Sequence, residues 1–210
     1  MIAVVDYGLG NLRSVQKAFE YKGFECTVTG DLKILKNAAG LVLPGVGAFS
    51  AAMENLSRKG LCGFIKEWIA ANRPFLGICL GLQMLFDHSE EGNVDGMGIF
   101  KGTVRRFPAD PSLKVPQIGW NSIDIVKAHP LLEGIRNGAH VYFVHSYYVD
   151  ADERKDVVTR TVYGVAFDSA AARGSVLATQ FHPEKSGEVG LRIIRNFGAW
   201  AYNKREGEIN

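Results

Sequence analysis

Disulfide chemistry, a strong charge field and a membrane-length apolar run are all missing from this sequence. Only three cysteines occur in 210 residues, Cys26, Cys62 and Cys79. An odd number at irregular spacings builds no disulfide framework and supplies no Cys-x-x-Cys metal pair, which favours a reducing cytosol. Lys and Arg number 24 against 22 Asp and Glu, a formal excess of +2, so no basic field invites nucleic acid. No apolar run approaches the roughly 18 residues needed to span a bilayer. The opening run Met1–Asp6 is apolar but short and lacks a basic flank, so it reads as a buried strand and not as a signal peptide. What remains is ordinary soluble composition, 47% hydrophobic and 22% charged. A chain of this length buries roughly 70% of its unfolded surface. The expectation is a soluble, cytoplasmic protein with residues 1–210 in one domain.

Ile2–Val5, Phe24–Val28, Leu41–Leu43 and Phe75–Ile78 read as short, buried parallel strands. Between them, helical spacing appears from Leu12 to Phe19, Ala48 to Leu56 and Leu61 to Ala71. Asn11 is placed to cap the first helix and Gly23 to end it. This alternation is the signature of an α/β fold with right-handed crossovers. Beyond His88 the texture changes to strand-like segments at Ser122–Val126, His140–Val144, Thr159–Val165 and Val176–Thr179. Asn137-Gly138 is a hairpin-type turn. An amphipathic helix with Leu191, Ile194, Phe197 and Ala201 on one face closes the chain. A parallel core with an antiparallel elaboration in the second half is therefore expected.

Three segments at strand ends carry chemistry. Gly77-Ile-Cys79-Leu-Gly81 has the nucleophile-elbow pattern with Cys in the Ser place. The glycines remove Cβ atoms that would crowd a strained turn, and the turn lifts the sulfur onto a helix N-terminus that favours thiolate. By itself the segment also fits a small buried core cysteine. Gln180-Phe-His182-Pro-Glu184 follows a strand and precedes the last helix. Glu184 can accept from the far ring nitrogen of His182, although Pro183-Glu184 also suits a plain helix start. Pro44-Gly-Val-Gly47 ends a third strand, and its glycines let the intervening peptide point an N–H outward as an oxyanion donor. Tyr7-Gly-Leu-Gly-Asn11 fails the dinucleotide pattern, because Arg13 stands where the last glycine belongs.

Taken together, Pro44-Gly-Val-Gly-Ala-Phe49, Gly77-Ile-Cys-Leu-Gly-Leu-Gln83 and Gln180-Phe-His-Pro-Glu-Lys185 resemble the class I (triad) glutamine amidotransferases. Tyr7-Gly-Leu-Gly-Asn11, Val115-Pro-Gln-Ile-Gly-Trp-Asn121 and Phe143-Val-His-Ser-Tyr147 narrow the resemblance to glutaminases that feed a (β/α)8-barrel cyclase in histidine biosynthesis. Gln117 is a departure, since the resemblance implies His there. The resemblance implies a flavodoxin-like open sheet, glutamine as substrate, and no cofactor or metal. It assigns Cys79 as nucleophile, His182 as proton carrier and Glu184 as its orienting carboxylate. The N–H groups of Leu80 and Val46 would hold the oxyanion, with Gly47, Gln83, His145, Ser146 and Tyr147 lining the glutamine pocket. Asn11, Trp120, Tyr142 and Lys185 are the candidate contacts to the barrel partner. The Gly45–Val46 peptide, flanked by glycine, could flip when that partner binds. Another acceptor synthetase, in sugar modification or pyridoxal phosphate synthesis, or a non-catalytic module of the same fold, are the alternatives.

Overall fold

Strand and helix alternate through the first half of the computed structural model, which describes residues 1–209 and side chains as far as Lys204. In order these are β1 (Ile2–Val5), α1 (Leu12–Tyr21), β2 (Cys26–Thr29), α2 (Leu32–Lys36), β3 (Gly40–Gly45), α3 (Phe49–Arg58), α4 (Leu61–Ala70) and β4 (Phe75–Cys79). Strands β1, β3 and β4 are buried at every position, as parallel strands covered on both faces must be. Asn11 does occupy the cap position of α1. Its side chain, however, accepts from the Ser14 hydroxyl at 2.9 Å and not from a backbone N–H. The short helix α2 has no counterpart in the sequence reading; Asp31 caps it by accepting from the Lys33 N–H at 2.8 Å.

The second half adds β5 (Phe86–Ser89), β6 (Val94–Asp95), β7 (Phe100–Arg106), β8 (Gln117–Ile125), β9 (Ala139–His145), β10 (Tyr147–Ala151), β11 (Val157–Tyr163), β12 (Val165–Arg173) and β13 (Val176–Thr179). The segment expected as one strand over Thr159–Val165 is two. Gly164, at φ +68, turns β11 back into antiparallel β12. Asn137-Gly138 closes the β8–β9 pair, but as the last step of a longer connection containing the 3-10 turn Pro130–Leu132. Helix α6 (Gly187–Ile209) ends the described chain, burying Ile194, Phe197 and Ala201. Among the described residues no helix is long and apolar enough to cross a membrane.

Strand order along the sheet begins β2-β1-β3-β4-β13, all parallel, and continues antiparallel through β12 and β10. This is the flavodoxin-like core with its expected antiparallel extension. Alternate side chains feed two apolar layers. Ala3, Val5, Leu41 and Leu43 pack with α3 and α4, whereas Ile2, Val4, Val42 and Leu76 pack with Phe19 of α1 and Phe197 of α6. Register then fixes where chemistry can occur. Gly45 stands beside Cys79, and Thr179 beside Ile78, so β3, β4 and β13 end together at one carboxyl edge.

Candidate active site

Cys79 leaves β4 with φ 56 and ψ −109 and enters a single helical turn, α5 (Leu80–Gln83). A non-glycine residue holds that conformation only when its surroundings force it. They do so here. A Cβ on Gly81 would lie 1.9 Å from the Leu43 carbonyl oxygen, and one on Gly77 would lie 2.9 Å from Ala178 Cβ. Gly81→Ala is therefore expected to lower stability by about 1–3 kcal/mol through overpacking and to cost roughly a hundred-fold in activity by displacing the sulfur. Thermal unfolding and glutamine hydrolysis measured side by side check both effects. The helix behind the elbow has only four residues. A full macrodipole is not available to the sulfur, and the local N–H groups at Leu80 carry what remains.

His182 follows β13 and is buried, as is the Glu184 side chain. Their contact, His182 Nδ1 to Glu184 Oε1, is 2.8 Å and leaves His182 Nε2 with no hydrogen-bond partner among the described residues. The 3-10 turn Pro183–Lys185 provides the bend that brings the two side chains together. Burial alone would push the imidazole down. The Cys79 sulfur and the Glu184 carboxylate outweigh it and lift its pKa to about 10. The loop is fastened to β9: the His182 N–H donates to the Tyr142 carbonyl at 2.9 Å, and the Ser186 hydroxyl accepts from the Tyr142 N–H at 2.9 Å.

Cys79 and His182 share a cavity of about 330 Å³ with Val46, Gly47, Leu80 and Gln83. His145, Ser146 and Tyr147 form its far wall, so the expected pocket residues converge. Gly47, at φ +88, needs its lack of a side chain to complete the turn beside Val46. A larger hollow of about 490 Å³, edged by Lys22, Arg136, Arg192 and Arg195, shares no residue with this pocket. Among the described residues no group of three or more His, Cys, Asp or Glu side chains is arranged to hold a metal ion.

Two features of the pocket have no counterpart in the sequence reading. Glu91 lines it and places a carboxylate there, steadied where Oε2 accepts from the Phe49 N–H at 3.1 Å. It comes from the turn after β5, where no motif marks it. The second feature is a buried chain of amides. His145 Nδ1 donates to the Tyr147 carbonyl at 2.8 Å, and Gln83 Nε2 donates to the same oxygen at 2.9 Å. Burial, reinforced by His182, pushes His145 down to about 4, so its ring is neutral near pH 7 and Nε2 is an acceptor. Buried Gln117 stands with its amide Oε1 3.0 Å from that nitrogen; two acceptors cannot pair, so the amide belongs turned end for end, with its N–H toward the ring. The departure at Gln117 thus keeps a hydrogen bond to His145.

Outside the pocket, Trp120 is 56% exposed and packs edge-on to Tyr142 with ring centroids 6.1 Å apart. Lys185 Nζ lies 5.8 Å from the centroid of the half-buried Tyr142 ring, completing a row beside the His182 loop. Asn11 is not part of the row; it stands at the start of α1, which lies beside the Pro183–Lys185 turn.

A family model described as "Glutamine amidotransferase class-I" matches residues 3–199. The chain belongs to that family. This amidotransferase is 49% identical over 199 residues to the imidazole glycerol phosphate synthase subunit HisH of Caldanaerobacter subterraneus subsp. tengcongensis, covering 94% of this chain and 97% of that relative. It is 51% identical over 204 residues to the subunit of the same name from Syntrophotalea carbinolica, covering 94% and 99% of the two chains. The solved structure of PurLQS from Thermotoga maritima shares the fold at a TM-score of 0.74 and 21% identity, covering 95% of the amidotransferase and 97% of the matched chain.

Proposed function

We propose that this chain is the glutaminase subunit of an imidazole glycerol phosphate synthase, passing ammonia to a (β/α)8-barrel cyclase. The observation that carries the reading is the strained Cys79 sharing one pocket with His182, which Glu184 holds at 2.8 Å. Identity of about half to the named synthase subunits supports the choice of acceptor. In this reading the Cys79 sulfur attacks the side-chain amide carbon of glutamine. Val46 and Leu80 N–H groups hold the resulting oxyanion, each worth about 3 kcal/mol. His182 gives its proton to the amide nitrogen, the C–N bond breaks, and ammonia leaves a γ-glutamyl thioester. Water then attacks the thioester, releasing glutamate and returning the thiol. Glu91 receives the α-ammonium of glutamine, and Gly47, Gln83, His145, Ser146 and Tyr147 shape the rest of the site.

Ammonia is useful to an acceptor only unprotonated, so the exit must lead directly into a partner. The row Trp120–Tyr142–Lys185, with exposed Ile118 and Val46 nearby in sequence to the pocket strands, supports a docking face there. Hydrolysis without an acceptor wastes nitrogen, and the Gly45–Val46 peptide supplies a switch: one orientation completes the oxyanion hole and the other removes a donor. The isolated chain is expected to hydrolyse glutamine roughly a hundred- to a thousand-fold more slowly than its complex with the barrel cyclase and that enzyme's ribonucleotide ligand. Glutamate release measured for the isolated chain, for the complex and for the complex with that ligand tests this. Equal rates in isolated chain and liganded complex remove the switch, and co-purification with a different synthetase removes the histidine pathway.

A further inference from the structure

We propose that Gln180 is a further catalytic residue, whose side-chain amide donates a hydrogen bond to the Cys79 sulfur and stabilises the negative charge that forms there. The inference rests on Cys79 being the glutaminase nucleophile. Gln180 follows β13 directly, and the β13–β4 register that pairs Thr179 with Ile78 sets it opposite Cys79. It is fully buried, and its Nε2 lies 3.7 Å from Sγ.

An amide can be turned end for end, so its orientation must come from its neighbours. Here they leave one choice. The Tyr147 carbonyl oxygen can only accept, which obliges Gln83 to present its amide nitrogen at 2.9 Å. The second proton on that nitrogen then meets Gln180 at 3.1 Å, where only Oε1 can receive it. Gln180 is left with Nε2 toward the sulfur. A backbone carbonyl two residues away in the chain of bonds thereby dictates that the nucleophile faces a donor.

The sulfur has a second contact, donating its proton to the Val144 carbonyl at 3.8 Å. The two contacts respond oppositely to ionisation. A carbonyl oxygen suits the thiol and repels a thiolate, whereas an amide N–H gains strength against a full negative charge. Gln180 therefore favours the reactive form, while Val144 holds the resting one. The titratable groups around the sulfur are His182 backed by Glu184, the Tyr7 hydroxyl, His145 and Glu91. Only His182 among them offers positive charge, so a neutral donor adds to it without competing for its proton.

The test uses the full chain carrying Gln180→Met, which keeps length and loses the donor, and Gln180→Glu, which keeps shape and reverses the electrostatics. Alkylation of Cys79 by iodoacetamide is followed across pH by mass spectrometry of its peptide. Glutamine kinetics are measured in the complex with the barrel cyclase. Gln180→Met is expected to raise the alkylation midpoint by about one pH unit and to lower kcat about ten-fold, with KM inside about two-fold. Gln180→Glu should move the midpoint further in the same direction. Midpoint and kcat unchanged from wild type in both variants overturn the proposal. A wild-type Cys79 that resists alkylation at every pH while Cys62 reacts instead refutes the nucleophile assignment, a distinct result.

Discussion

Cys79→Ala is expected to abolish glutamine-dependent turnover, by about four orders of magnitude or more, while the complex still works with added ammonium. Among the described residues Cys79 is the only cysteine lining the pocket, whose remaining polar groups are Gln83, Glu91, His145, Ser146, Tyr147 and His182. Ser146 and Tyr147 bear hydroxyls, but neither follows a strained elbow at φ 56 as Cys79 does. Cys79→Ser should fail nearly as badly, because a hydroxyl is a weak nucleophile at its free pKa. A glutamine-shaped electrophile gives an independent reading and should label Cys79 alone. Cys26 is buried behind α1, and burial, with Glu20 adding to it, pushes its thiol up to about 12. Cys62 is more accessible but lies against the Ser57 hydroxyl on the α3–α4 pair, outside the pocket that holds Cys79. Labelling of Cys26 or Cys62 at a rate comparable to Cys79 would sink the assignment.

The parts legible in the sequence were those whose physics is local. Strands β1, β3, β4 and β13 are buried on both faces, so they appear as short unbroken apolar runs with sharp ends. The elbow, the Pro44–Gly47 turn and the His182–Glu184 pair are each contiguous, and their glycines answer to close approaches such as that of Leu43 to Gly81. The parts that escaped depend on pairing across the sheet. Strand β12 is buried but built largely of Ala and Ser around Asp168, a composition that lacks the β-branched signal. What makes it a strand is its ladder with β11 and β13, together with the buried Asp168 carboxylate bound to Arg154 at 2.7 and 2.8 Å. Strands β5 and β6 are too short for any period to register. Glu91 and the Gln83–Gln180 contact were illegible for the same reason. Each joins residues dozens of positions apart, and only the folded register brings them to the sulfur.

His182→Asn should cost nearly as much as loss of Cys79, whereas Glu184→Gln should cost less and should alter the pH profile. The asymmetry follows from their atoms. His182 must move a proton, and Asn has no titrating group to do it. Glu184 moves none; it holds Nδ1 at 2.8 Å and, with the sulfur, raises the imidazole to about 10 against the pull of burial. With the wild-type carboxylate, the proton needed by departing ammonia is therefore present across neutral pH, and the alkaline limb of kcat/KM belongs near pH 10. Glu184→Gln removes one of the two supports, so the alkaline limb should shift to lower pH. The same sign governs stability. A histidine whose folded pKa lies above its unfolded value stabilises the fold below about pH 6.5, and that contribution is lost as pH climbs through about 10. In Glu184→Gln the loss should begin at the same pH, set by the unfolded histidine, but end at a lower one, so thermal unfolding across pH 6–10 should show the wild type losing more and the two proteins converging toward the alkaline end. Changes at His129 or His88, which line no part of the pocket, should leave the activity profile in place. An alkaline limb that stays fixed in Glu184→Gln, with only the maximal rate reduced, would mean that Glu184 positions the ring without setting its charge.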